Sequence, residues 1–130
     1  MKTDLHFLTI AEAGQQIKAK KLSPVEYVDH LSARVESLDD QLSAFITLTF
    51  GLARLQAKAA ESEITAGRYL GPMHGIPFGA KDIYETAGIL TTGGSRIGQQ
   101  HVPTNDCAVV AKLYEAGAVL LGKLNTHEFA

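Results

Sequence analysis

Tryptophan is missing from the 130 residues, cysteine occurs once and proline four times. A single thiol excludes an internal disulfide framework and fits a reducing compartment. Cys107 precedes "AVVAKL", which reads as a helix face, so a buried and inert thiol is expected there rather than a nucleophile. Charge of one sign is also lacking. The 12 basic and 14 acidic residues leave a net charge of −2 and are spread along the chain, which removes the basic face that a nucleic-acid partner needs. The one loose lysine cluster, Lys18, Lys20 and Lys21, falls near the expected end of a helix, where it complements the macrodipole. Long apolar runs are absent. No window reaches the roughly 18 residues of a membrane span, and "MKTDLHFLTIAEAG" has no leader-like apolar core. A soluble, cytoplasmic protein is the expectation.

What is present is an ordinary folding composition, 45% hydrophobic and 20% charged, in a length that suits one domain. Thr9 and Glu12 have capping-box spacing and open a short first helix. Ser23, Pro24 and Glu26 supply an N-cap, a first-turn proline and an acidic third position. Val25, Val28, Leu31 and Val35 then recur at helical spacing, which predicts a second helix over 24–37, ended by turn chemistry in "SLDDQ". "AFITLTF", 44–50, has the β-branched and aromatic content of a strand. Residues 51–67 read as a third helix closed by Gly67.

Beyond it, 76–81 reads as a short strand leading to a site. Residues 85–106 carry too many glycines for a helix and read as a long loop. Asp106 is placed to cap a helix in which Val109, Val110 and Leu113 share a face and Gly117 is the stop, and 118–124 is a further strand. This order of elements argues for an α/β fold.

Few side chains offer chemistry. His6, His30, His74, His101 and His127 lie far apart with no pair at helical spacing, and His127 with Glu128 lacks the second histidine of a zinc-protease helix, so no metal is expected. "TTGGSRIG" matches neither phosphate-binding glycine motif, and its glycines are read as positions needing positive φ. Lys81 remains, carried by "GIPFGAKD". A lysine with its ordinary pKa near 10.4 is neutral in only about one molecule in 2,500 at pH 7, so it acts as a base only where burial or neighbouring charge lowers that value. An apolar strand delivering the amine into a cleft, with Thr91, Thr92 and Ser95 near it, would serve.

The segments "GPMHGIPFGAKDIYETAGILTTGGS" and "VPTNDCAVVAKLYEAGAVLLGKLNTHEFA" resemble the N-terminal part of the amidase signature family of serine hydrolases. G-I-P-F-x-x-K-D, T-T-x-G-S, P-x-x-D and A-G-A-V-x-x-G-K-x-N-x-x-E-F-A follow in that family's order over roughly 70–130. Residues 1–69 agree in outline only. Leu124 departs from the small residue more usual between lysine and asparagine.

The resemblance implies an α/β/α fold around a central mixed sheet. Residues 1–130 would be the N-terminal portion of a single domain, helical over 1–69 and motif-bearing over 70–130, the remainder lying elsewhere. It implies hydrolysis of a carboxamide by a Ser/cis-Ser/Lys triad, with Lys81 as the buried proton shuttle, both serines beyond residue 130, and no cofactor or metal. Ser95 belongs to T-T-x-G-S and is not read as the nucleophile. The expected partner is a small amide substrate, with no nucleic acid bound directly and no membrane. The portion alone is expected to be inactive and to aggregate or form a homodimer. Two alternatives stand beside this reading: the glutamine-dependent amidotransferase subunit that serves charged tRNA, and a non-catalytic binding or oligomerisation module.

Overall fold

The computed structural model describes residues 4–130. The first three positions of the N-terminal stretch lie outside the described residues. A 3-10 turn at Leu5–Phe7 leads into α1, Ile10–Lys18, where the capping box forms in full: Glu12 N–H donates to Thr9 Oγ1 at 3.2 Å and Thr9 N–H to Glu12 Oε2 at 2.8 Å. Lys20 reaches across to donate to the Thr65 carbonyl at 3.2 Å, so this part of the lysine cluster satisfies the exposed end of another helix.

Helix α2 starts where expected but runs over Pro24–Leu42. The turn read into "SLDDQ" is therefore corrected. Its polar side chains bond around the helix end rather than breaking it: Ser37 Oγ donates to the Arg34 carbonyl at 2.8 Å, and Asp39 Oδ1 accepts from Ala44 N–H at 2.7 Å. The stop falls at Ser43, in the left-handed region at φ 49°.

Strand β1 is Phe45–Leu48, α3 is Phe50–Thr65, β2 is Pro77–Lys81, α4 is Ala108–Glu115 and β3 is Val119–Leu124. The last strand in sequence is central in the sheet, in the order β1-β3-β2, antiparallel to β1 and parallel to β2. Helices cover both of its faces. Val119 and Leu121 pack with Val28 of α2 and with Ala53 and Ala57 of α3, while Leu120 packs with Ala80 and with Val110 of α4. The fold is mixed α/β in three layers, and β2-α4-β3 is the parallel unit that carries the site.

Two readings of α4 change. Its N-cap is Cys107 and has no side-chain cap bond, because Asp106 turns instead to the preceding loop and accepts from Ala87 N–H at 2.7 Å. Val109 does not share the buried face of Val110; it is exposed. Cys107 is half-buried against the Ala80, Val110 and Leu120 cluster, more open than expected for a core thiol.

Candidate active site

Side chains alternate along β2, so Ala80 and the following Asp82 turn inward while Lys81, opposite Leu124 of β3, turns the other way. Asp82 is fully buried and Lys81 is exposed. The expectation that the apolar strand buries Lys81 is thus corrected: alternation at an edge strand sends its amine off the face that the described residues fill. The next residue takes the buried position.

Asp82 fixes the strand end from both its backbone and its carboxylate. Its N–H donates to the Leu124 carbonyl at 2.9 Å and its carbonyl accepts from Gly93 N–H at 2.9 Å. Oδ2 accepts from Thr92 N–H at 3.0 Å and from Thr92 Oγ1 at 2.5 Å. Oδ1 has no hydrogen-bond partner and lies 3.4 Å from Lys123 Nζ, an ion pair without hydrogen-bond geometry.

Lys123 is the lysine that the fold does bury. Its ammonium donates to Thr91 Oγ1 at 2.6 Å and to the Tyr84 carbonyl at 2.9 Å, and the Asp82 carboxylate stands beside it. Burial pushes its pKa below the ordinary lysine value, and the Asp82 charge opposes that shift. A buried pair of this kind stabilises little in net terms, but either partner left alone is costly. The pair therefore fixes the position of the loop that follows Lys81.

The glycine loop is held from the far end of the chain. Ser95 Oγ donates to Glu128 Oε1 at 2.6 Å, and Phe129 N–H donates to the Gly93 carbonyl at 2.8 Å. Gly93 and Gly94 stand at φ 65° and 67°, as the positive-φ reading of "TTGGSRIG" requires. Beside this loop is an open cleft of about 470 Å³, whose wall includes Asp82, Thr91, Thr92, Gly93, His101 and Phe129.

The family profile described as Amidase matches residues 26–130. The chain belongs to the amidase signature family. Among curated relatives, a glutamyl-tRNA(Gln) amidotransferase subunit of Geobacter sp. (strain M21) is 48% identical over 123 residues, 95% of this chain and 25% of that protein. An amidase of Pseudomonas putida is 42% identical over 123 residues, 95% of this chain and 26% of that one. Native peptide amidase from Stenotrophomonas maltophilia superposes with a TM-score of 0.90 at 33% identity, over 95% of this chain and 26% of that chain. This chain spans about a quarter of the length of the relatives it matches.

Within this amidase-signature fold the three hydroxyls expected near the Lys81 amine are engaged elsewhere. Thr91 accepts from Lys123, Thr92 donates to Asp82 and Ser95 donates to Glu128. No hydrogen bond joins any of them to Lys81 among the described residues. With its oxygen bound to Glu128 and accepting from Ile97 N–H at 3.3 Å, Ser95 is a loop anchor. Leu124 packs on Gly79: a Cβ at Gly79 would come within 2.8 Å of Leu124 Cδ2.

Sequence reading missed Lys123. The signal was there: a lysine inside the apolar strand "AVLLGKL" needs a buried counter-charge wherever both faces of that strand are covered. It also missed that His6 and His30 meet although they are 24 residues apart.

Proposed function

We propose that the whole protein hydrolyses a carboxamide through a Ser/cis-Ser/Lys triad in which Lys81 is the proton shuttle. The observation that carries this reading is the end of β2, where the Lys81 amine projects from a backbone pinned immediately afterwards by the buried Asp82. A base must be held in place to within a fraction of an ångström, and a strand end anchored by a buried carboxylate does this better than a free loop. As a neutral amine, Lys81 takes a proton from the bridging serine, that serine takes one from the nucleophilic serine, and attack on the amide carbonyl breaks the C–N bond; the leaving amine departs with the proton returned through the relay, and water then hydrolyses the acyl-enzyme. Both serines lie in the part of the protein beyond these residues, which also covers the amine. The chain alone is inactive on this reading. The protein is cytoplasmic, with a small amide as substrate.

A second reading is favoured by the relatives named as glutamyl-tRNA(Gln) amidotransferase subunits, which reach 48% identity. Under it the same Lys81 chemistry releases ammonia from glutamine, and the protein works with partner subunits.

Lys81→Ala in the complete protein tests the shared step. We expect amide hydrolysis or glutamine-dependent ammonia release to fall by about 10²–10⁴-fold, the usual contribution of a positioned acid–base group, with folding intact by circular dichroism. A wild-type rate in that variant removes Lys81 from the triad, whereas no turnover by the complete wild-type protein leaves a non-catalytic binding role. Glutamine turnover that requires added partner subunits selects the amidotransferase, whereas turnover of simple amides by the protein alone selects the amidase.

A further inference from the structure

Well outside the buried Asp82 and Lys123 network, the N-terminal turn brings three potential ligands to one point. His6 sits in the Leu5–Phe7 turn, which Leu5 and Leu8 hold against the α1 and α2 core, and His30 lies on α2. His6 Nδ1 is 3.2 Å from His30 Nε2 and 3.5 Å from Asp4 Oδ1. All three donor atoms lie within 4.8 Å of one another. The two imidazole rings are nearly parallel, 9° apart. His6 is mostly buried and Asp4 is exposed.

Hydrogen bonding alone leaves this cluster poorly served. His6 Nδ1 carries at most one proton, and two atoms that can accept it, His30 Nε2 and Asp4 Oδ1, stand beside it. A divalent cation would take all three as ligands at once. At metal–ligand distances of about 2.0–2.1 Å, a tetrahedral centre sets its ligand atoms about 3.3–3.4 Å apart, a spacing that falls between the two measured from His6 Nδ1. Two imidazole nitrogens and one carboxylate suit zinc and its first-row neighbours rather than calcium or magnesium, which take oxygen ligands.

We propose that Asp4, His6 and His30 form a site for a divalent transition-metal ion of the zinc type, with solvent completing its coordination and the N-terminal turn thereby tied to α2. Sequence spacing does not reveal such a site, because the template for a metal pair is two ligands on one helix, and these ligands come from two elements. The tie spans the whole of α1 and makes the N-terminal turn part of the folded body.

The test is made on the complete protein, stripped with a chelator and titrated with zinc chloride alone by calorimetry and by competition with a chromophoric chelator. We expect His6→Gln and His30→Gln each to weaken one zinc-binding event at least tenfold. His101→Gln, which removes an exposed imidazole paired with Glu85, should leave that event unchanged. Zinc should also shield the His6 and His30 peptides from diethyl pyrocarbonate, read by mass spectrometry on the wild-type protein, so that the result does not depend on how the variants fold. Binding unaffected by either substitution, or equal labelling of both peptides with and without zinc, overturns the proposal.

Discussion

Among the described residues, Lys123 and Asp82 carry the strongest electrostatic demand, since both are fully buried and each is the other's counter-charge. Lys123→Met leaves the Asp82 carboxylate buried with Oδ1 unpaired, and should cost about 3–5 kcal/mol in urea denaturation of the complete protein. Adding Asp82→Asn removes the orphaned charge and should recover part of that loss, a coupling that a double-mutant cycle measures directly. At this scale the sequence was half legible. Lys81 and its neighbours stood out because a charged pair closes an apolar run, yet which of two consecutive residues faces the core depends on strand parity against neighbours, and this appears only once β2 and β3 are aligned. Asp82 accordingly took the inward position assigned to Lys81. The sequence reading sets the hydroxyls of Thr91, Thr92 and Ser95 beside the Lys81 amine, whereas their partners are Lys123, Asp82 and Glu128, 10 to 33 residues away, and no local pattern encodes them.

Between elements, His74 acts as the joint linking α3, the segment before β2 and the turn after α4. Its Nδ1 accepts from Leu70 N–H at 3.1 Å, its Nε2 faces Glu63 Oε2 at 3.2 Å, and a Cβ on Gly117 would collide with the ring. Gly117 is also at φ 80°, so Gly117→Ala combines a left-handed backbone with a collision and should destabilise by about 1–3 kcal/mol, seen as a lower denaturation midpoint. Burial lowers the His74 pKa, against the pull of Glu63. Between that lowered value and the ordinary 6.5 the unfolded chain binds more protons at this site than the folded one, so stability rises with pH through the window and is lost as pH falls below about 6.5. His74→Gln should flatten that slope in denaturation midpoints taken from pH 5 to 7. Element existence was the most legible layer: the Thr9 and Ser23 caps and the Gly117 stop all fall where the sequence puts them. The end of α2 was not, because Ser37 and Asp39 are residues that favour a turn or a helix end equally, and their bonding partners decide.

On the scale of the molecule, the sheet has two open edges among the described residues, and large apolar side chains stand in solvent: Ile97 at 86% exposure and Phe129 at 62%, with Ile46 and Leu48 on β1. Residues 1–130 produced alone should therefore associate into dimers or larger species at micromolar concentration, by light scattering, and show no amide turnover. A stable monomer that turns over amide would contradict this. The α/β class was legible from the alternation of elements, but strand order was not, since short strands carry no address for their partners. That order has a consequence in time. Both ladders of the sheet run through β3, and β1 and β2 do not pair with each other. During synthesis, at about 5–20 residues per second, the 71 residues from Leu48 to Val119 (119 − 48) take roughly 4–14 s, and until then β1 and β2 lack the strand on which both of them pair. The helices can condense as they emerge, but β1 and β2 must wait as unpaired ribbons on the ribosome, and the window in which a chaperone has work to do is written into the position of the central strand.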